Sequence, residues 1–319
     1  MNRKSFLKQS AFSLVGLAPL VGRMPAFGSS PITPVKGRST SFRTIEYNIF
    51  NGAIGYQGIN GRNLPDNDDT LLLRTARELG QIPQRIALEL ALYKPDILSF
   101  CESASKPVVM KIQDYLGMKH CAYFPGAKDG KGHYPGTILT NYEILSMENR
   151  PFVNKKNNDP EELFTRHWGK ATLRLSNNKR LTVHTAHLWP FNKVDKDREI
   201  RMAEVNELVK AIHYDLDHHN ADSVLLQGDL NQAPDTPEHQ KFLDGGLSDI
   251  FTEAGSGSGF TATSKKPHTR IDYIYAIGAL AKKATTCRPL YEGHFRMNND
   301  DPKGFALSDH IPVLADFTI

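Results

Sequence analysis

The tetrapeptide Gly228-Asp229-Leu230-Asn231 sets a carboxylate and a carboxamide two residues apart. It follows Asp222-Ser223-Val224-Leu225-Leu226-Gln227, whose β-branched and apolar residues read as a short buried strand closed by Gly228. Open α/β sheets hold their ligands at the carboxyl ends of strands, so the pair is a candidate active-site element. Asp and Asn are also ordinary turn formers, and taken alone the stretch fits either reading. Other apolar strands end in polar groups too. Glu102 directly follows Ile97-Leu98-Ser99-Phe100-Cys101; taken alone, a solvated strand-end charge accounts for it. His184 and His187 lie three apart at the end of another strand. Residues at that spacing on a strand face opposite sides, which argues against a shared zinc ion and leaves His187 as a single polar group at a strand end. Asp272 lies inside the alternating run Arg270-Ile271-Asp272-Tyr273-Ile274-Tyr275, where an unpaired carboxylate is costly to bury, so it needs a partner. Ser308-Asp309-His310 opens the last strand and offers an imidazole that such a carboxylate would orient.

The elements that carry these groups alternate along the chain. Residues 43–50 form a β-rich, alternating first strand with Asn48 inside it. The asparagine- and glycine-rich stretch 51–69 reads as a loop. Residues 70–80 read as a helix with Leu71, Leu72, Ala76 and Leu79 inward, and Pro83 opens a second helix over 84–93 with Ile86, Leu90 and Tyr93 on its core face. A helix over 107–115 and strands over 121–124 and 137–140 come next, the last ending at Asn141. The glycine-rich loop 126–136, with His133, reads as a turn or a phosphate cradle. Residues 171–175 and 180–185 form a hairpin. A long amphipathic helix covers 197–213, with Ile200, Ala203, Val205, Leu208 and Ile212 as its apolar positions. A short helix over 237–243 and strands over 270–275 and 311–317 complete the pattern.

A chain of 319 residues, 39% hydrophobic and 23% charged, has the make-up of a folded protein with a large core. No internal stretch is apolar enough to span a bilayer. Residues 1–28 differ: a basic start (Arg3, Lys4, Lys8), an apolar run over 11–22 and small residues after it have the layout of an export signal. Arg3-Lys4 is similar to a twin-arginine signal, with Lys4 in place of the second arginine. Arg3, Lys4, Lys8 and Arg23 carry the whole +4 excess, so a chain without residues 1–28 is formally neutral. Bulk charge therefore does not make this a basic nucleic-acid binder. Residues 29–41 read as a linker and 42–319 as one domain, with no internal repeat. Cys101, Cys121 and Cys287 show neither CxxC spacing nor a disulfide framework, and Cys101 reads as a buried thiol.

Taken in order, Asn48, Pro95-Asp96, Phe100-Cys101-Glu102, Gly136-Thr137-Ile138-Leu139, Ala186-His187-Leu188, Gly228-Asp229-Leu230-Asn231, Arg270-Ile271-Asp272-Tyr273 and Ser308-Asp309-His310 form a specific set. It resembles the endonuclease/exonuclease/phosphatase superfamily over residues 42–319. The resemblance implies a deoxyribonuclease I-like fold: an α/β, four-layer sandwich of two packed β-sheets flanked by helices. It implies hydrolysis of a phosphoester with magnesium, manganese being the alternative. Glu102 would then be the main metal ligand with Asn48 beside it, and Asp309 a further metal or water ligand. Asp229 would orient or deprotonate the attacking water, Asn231 would hold a phosphate oxygen, and His310, steadied by Asp272, would stabilise charge on the phosphoryl group. His187 matches a second histidine of the nuclease and sphingomyelinase branches and favours a phosphodiester. Asn141 and Arg270 would contact substrate. Thr185-Ala186-His187-Leu188 stands where many members have Asn-Thr-His-Leu, and Tyr47-Asn48 where many have Trp-Asn. Nucleic acid, a phospholipid headgroup and a small phosphate ester all remain candidate substrates, the protein being expected to act as a monomer with no obligate protein partner. Stretches 51–69 and 144–168 are expected to shape the groove. Arg166, His167, Trp168 and Lys170 would meet phosphates there or simply form a solvated loop face.

Overall fold

A computed structural model describes residues 40–57, 71–126, 134–150, 163–190, 195–218, 221–297 and 304–319. The expected export signal, most of the expected linker and His133 lie outside these residues. Arg38–Ile319 is one compact unit. Among the described residues, no helix is long and apolar enough to cross a membrane.

Two six-stranded sheets form the body. The first contains β1 (Ser41–Asn48), β2 (Ile97–Cys101), β3 (His120–Phe124), β4 (Gly136–Thr140), β11 (Ala284–Pro289) and β12 (Val313–Thr318), in the order β11-β12-β1-β2-β4-β3. The second contains β5 (Glu143–Asn149), β6 (Trp168–Arg174), β7 (Arg180–Ala186), β8 (Ser223–Asp229), β9 (Ser248–Asp249) and β10 (Asp272–Gly278), in the order β5-β6-β7-β8-β10-β9. Each sheet has one parallel pair at its centre, β1 with β2 and β7 with β8. A parallel pair needs a crossover. Helices α1 (Leu71–Glu78) and α2 (Gln81–Ala91) supply it in the first sheet, and α4 (Asp195–His218) in the second. Helices α3 (Lys106–Leu116), α5 (Pro237–Asp244) and α6 (Ile250–Ala254) are the other α-helices with defined bounds among the described residues.

Three apolar clusters account for the layering. Ile45, Leu98, Phe100 and Leu139 of the first sheet pack under Ile82, Ile86, Leu90, Val109 and Ile112 of α2 and α3. Trp168, Leu226 and Tyr275 of the second sheet pack under Val205, Leu208 and Ile212 of α4 and Phe242 of α5. Phe42, Ile97, Phe124, Leu181, Leu225, Ile274 and Phe317 fill the space between the sheets. The fold is thus the expected four-layer α/β sandwich. Alternation along β1 aims Phe42, Thr44, Glu46 and Asn48 at the other sheet. That row passes from apolar to polar: Thr44 Oγ1 donates to Gln227 Oε1 (2.6 Å), and Gln227 Nε2 donates to Ser99 Oγ (3.0 Å) across the sheets.

Several local expectations change. Leu71, Leu72 and Leu79 are exposed, and the core face of α1 is Leu73 and Ala76. Three successive leucines leave the helical phase open, and the surface offered by Ile82 sets it. The core face of α4 includes Arg201, Glu204 and Asp215 as well as Val205, Leu208 and Ile212, while Ile200 and Ala203 are only half-buried. Part of the expected groove segment 144–168 is instead the edge strand β5, whose mostly exposed side chains, apolar and polar without strict alternation, hide its strand character. Trp168 and Lys170 are buried in β6. Gly228 does not close β8 but lies within it. A Cβ there would meet the Ala186 carbonyl oxygen at 1.9 Å, so only glycine lets β8 come this close to the end of β7.

Candidate active site

Both parallel pairs end at the same side of the sandwich. Asn48 is the last residue of β1, Glu102 follows β2, His187 follows β7 and Asp229 ends β8. The antiparallel neighbours begin there: Asp272, first in β10, sits opposite Asp229, and His310 precedes β12, whose Val313 pairs with Glu46. The first sheet therefore supplies Asn48, Glu102 and His310, and the second His187, Asp229 and Asp272. All are buried except Glu102, which is half-buried.

Asn48 links the sheets. Its Nδ2 donates to Asp229 Oδ2 (3.0 Å) and Glu102 Oε1 (3.3 Å), and its Oδ1 accepts from the Phe50 N–H (3.1 Å). The amide nitrogen, not the oxygen, faces the carboxylates, so ligation of a cation by Asn48 requires the amide to turn over. His310 Nδ1 donates to both oxygens of Asp272, at 3.0 and 2.9 Å. Its Nε2 lies 3.7 Å from Asp229 Oδ2. His187 Nε2 is 3.2 Å from the same oxygen, and its Nδ1 is 3.9 Å from Glu102 Oε1. Asp309 is half-buried beside the cluster, its Oδ1 3.4 Å from Ser308 Oγ, which also donates to the Asn48 carbonyl (2.6 Å).

The backbone at two of these positions is left-handed, Glu102 at φ 47° and Asn231 at φ 50°. That conformation is strained for residues other than glycine, by about 1–3 kcal/mol. Hydrogen bonds hold it: the Asn51 N–H to the Glu102 carbonyl (2.8 Å), the Asn231 N–H to Asp229 Oδ1 (3.1 Å), and Asn231 Nδ2 to the Leu188 carbonyl (3.0 Å).

Burial dominates the electrostatics. It pushes Asp229 up to about 7, with Asp272 adding to the rise and His310 and Arg166 opposing it. It raises Glu102 and Asp309, the negative charge of Asp309 contributing at Glu102. It also lifts Glu46 well above the carboxylate range. Burial works against charge on His310 as well, but Asp272 and Asp229 outweigh it and hold that imidazole well above its ordinary value. His187 is driven the other way, first by burial and then by Arg166, and is neutral. The cleft therefore pairs one persistent imidazolium with carboxylates that resist ionising together. Two overlapping groups, Glu102–His187–Asp229 and Asp229–Asp272–His310, have ligand atoms within 4.8 Å of one another.

The remaining expected residues part company. Asn141 follows β4, which runs antiparallel to β2, and its N–H donates to the Asp96 carbonyl at the far end of that strand. It lies at the opposite end of the sheet from Glu102, outside the cluster. Arg270 is buried, with Nη1 on Asp249 Oδ2 (2.7 Å) and its guanidinium over the rings of Phe251 and Tyr273. Its charge is committed to the core. Lys170 is committed likewise to Asp215 (2.6 Å), which also meets His184 Nε2 (2.7 Å) on the α4 side, so His184 and His187 face opposite ways. Arg166 behaves otherwise. Its Nη1 donates to the Leu188 carbonyl (2.9 Å), and its guanidinium lies 4.6 Å over the Tyr134 ring, whose edge also meets His187. It is a half-buried cation at the rim of the cleft. Sequence reasoning missed Tyr134 and Glu46. The polar residue two before Asn48, on the same face of a strand, was the available signal for Glu46.

A sequence profile described as Endonuclease/Exonuclease/phosphatase family matches residues 47–310. No curated protein matches the chain. Among solved structures, an endonuclease/exonuclease/phosphatase family protein from Bacteroides thetaiotaomicron is similar at 17% identity and TM-score 0.63, over 88% of this chain and 98% of its own. A mannosyl-6-phosphatase from the same organism gives 17% and 0.61, over 86% and 98%. TDP2 from D. rerio, complexed with a single-strand DNA product, gives 18% and 0.56, over 88% and 99%.

Proposed function

The chain belongs to the endonuclease/exonuclease/phosphatase family, whose members are hydrolases of phosphoester bonds, and we propose that it is an exported phosphodiesterase that uses magnesium or manganese for in-line attack of water at phosphorus. The observation that carries this reading is the bridge of Asn48 between Glu102 and Asp229, with the His310–Asp272 pair on the other side of Asp229.

The donor set fits a divalent cation. Glu102 and Asp229 offer hard oxygens, Asp309 stands beside them, and among the described residues His187 Nδ1 is buried without a hydrogen-bond partner. When bound there, such a cation neutralises charge developing on the phosphoryl oxygens. The protein's own groups do the rest. Asp229 accepts a proton from the attacking water or fixes its direction. The imidazolium of His310, charged because Asp272 sits on Nδ1, turns Nε2 toward the phosphoryl group. One amide proton of Asn231 goes to the Leu188 carbonyl, and among the described residues the second is left for a phosphate oxygen. Arg166 adds positive charge at the rim.

His187, on which the expectation of a diester rests, lies in the cleft. A solved structure of similar fold is a phosphatase and another holds a DNA product, so both ester classes belong in the assay. Protein lacking residues 1–28 is tested on plasmid DNA, RNA, sphingomyelin, a generic diester and a generic monoester, with and without chelator. Diester hydrolysis that is abolished by chelator and restored by magnesium or manganese is expected. Hydrolysis of the monoester alone overturns the diester assignment. Full activity in excess chelator overturns the cation assignment, and a folded protein inert on every substrate is a binding module instead.

A further inference from the structure

We propose that the outward face of α1, α2 and α3 docks on an anionic lipid bilayer and holds the protein at a membrane surface. Seven of the ten large hydrophobic side chains exposed among the described residues lie between Leu71 and Tyr115, on these helices and the turn joining the first two. Leu88 and Leu92 of α2 are 60% and 74% exposed, and α3 adds Met110 and Tyr115. Helical spacing gathers the α2 side chains on one side. Gln84, Leu88, Ala91 and Leu92 follow at i, i+4, i+7 and i+8 and are all exposed, while Ile82, Ile86 and Leu90 pack on the first sheet. α3 lies beside α2 and exposes Lys106, Met110 and Lys111. The layer over the second sheet is different. The exposed side of α4 carries Arg198, Glu199, Lys210 and Asp217, and Tyr214, at 37%, is its one exposed large hydrophobic among the described residues. That is an ordinary solvated face, whereas leucines gathered outside one layer mark an interaction surface.

The charge among these leucines is positive. Arg74, Lys94, Lys106 and Lys111 are exposed against Glu78 and Asp114, four cations to two carboxylates. The other charged groups of the three helices have partners within the fold. Arg77 Nε donates to the Ile54 carbonyl, the Arg85 guanidinium lies 5.3 Å over the Phe305 ring, and Glu89 Oε1 meets His294 Nδ1 at 2.7 Å. A chain without residues 1–28 is formally neutral, so the excess is particular to this face. Lysine beside leucine decides the occupant. The cores of protein–protein interfaces are depleted in lysine. A second copy of this chain would set like charges against each other across a two-fold axis. At an anionic bilayer the same mixture is favourable, the leucines entering the boundary of headgroups and acyl chains while the cations meet lipid phosphates. Among the described residues no helix is long and apolar enough to cross a membrane, so the contact is peripheral. The cleft lies at the carboxyl ends of β1 and β2, whereas this face covers the outer side of their sheet. The docking surface is therefore separate from the phosphoesterase site.

The test uses protein lacking residues 1–28, which keeps the compact unit Arg38–Ile319 and removes an apolar run that would itself bind lipid. The protein is mixed with vesicles of phosphatidylcholine alone, or of phosphatidylcholine and phosphatidylglycerol in equal parts. Chelator is present so that no cation draws lipid phosphate into the cleft, and flotation reads the bound fraction. The wild type should bind the mixed vesicles, and less so as salt is raised. Leu88→Gln/Leu92→Gln and Lys106→Glu/Lys111→Glu should each weaken that binding about tenfold or more. Tyr214→Gln, on the opposite helical layer, should bind as the wild type does. All three should keep the wild-type melting temperature and hydrolyse a responsive phosphoester within about twofold of its rate. No binding to the mixed vesicles, equal binding to phosphatidylcholine alone, or binding that survives either double variant overturns the proposal and leaves the phosphoesterase reading intact. Wild-type dimers in sedimentation velocity that Leu88→Gln/Leu92→Gln dissociates would give the face to a second copy and overturn it as well. Vesicle binding by a protein inert on every phosphoester supports the docking face and counts against the phosphoesterase reading alone. Should the leucine variant not fold, the lysine variant decides by the same criterion.

Discussion

Removing the His310 imidazole tests the pairing on which the proposed chemistry leans. In the folded protein the Asp272 carboxylate is buried, and both of its oxygens accept from the one Nδ1–H of His310. His310→Ala deletes the group facing Asp229 and the phosphoryl position, which should lower turnover by about 10²-fold, or about 2.7 kcal/mol of transition-state stabilisation. It also strands Asp272. Breaking a buried pair from one side costs about 3–5 kcal/mol of stability, largely because a charge is left without compensation. Asp272→Asn keeps an oxygen to accept from Nδ1 but removes the charge that sustains the imidazolium, so turnover should fall by about tenfold. Turnover of Asp272→Asn/His310→Ala should match that of His310→Ala within a few-fold, because residues acting as a unit do not add. Its stability should exceed that of His310→Ala, since no stranded carboxylate remains. Steady-state kinetics on a responsive phosphoester, with thermal melts by circular dichroism, read both quantities. A double-variant activity loss equal to the product of the single losses, or a melting temperature below that of His310→Ala, would refute the reasoning.

Three further outcomes are expected. Burial raises Asp229 from 3.8 to about 7; a raised folded-state value means stability held at low pH and lost as pH rises through about 7, so in cation-free protein Asp229→Asn should melt higher than the wild type at pH 8 and close to it at pH 4, and equal melting at pH 8 would count against the buried-carboxylate account. Lys170→Met, which takes the partner at 2.6 Å from buried Asp215, should destabilise the fold by about 3 kcal/mol without changing kcat; a large loss of kcat in stable protein would instead place Lys170 in the chemistry. Cells should release or translocate a form lacking about the first 28 residues, as mass spectrometry of the mature N-terminus would show, whereas an intact N-terminus on wholly cytoplasmic protein would rule out export.

Local pattern in the sequence was enough to locate most of the cluster. Asn48, Glu102, His187, Asp229 and His310 stand where an apolar or alternating run gives way to a polar residue, and such a break is visible without knowing what packs against it. The need of Asp272 for a partner was equally legible, because a carboxylate inside an alternating strand is costly unpaired. What the chain did not show locally was direction and partnership. Asn141 also ends an apolar strand, yet β4 runs antiparallel to β2, so its end is the wrong end. Arg270 and Lys170 read as free cations until Asp249 and Asp215 reach them from other elements. The helical phase of α1 was left open by three leucines in a row and fixed by the surface beneath it. The bridge from Asn48 to Asp229 spans 181 residues and joins two sheets. It exists because the sheets pack face to face with both parallel pairs ending on the same side. Residue type and strand periodicity are properties of a few neighbouring positions and are carried by the sequence alone. Which strand ends coincide, and which charges find each other there, depends on packing that buries three apolar layers at once, and only the tertiary structure decides it.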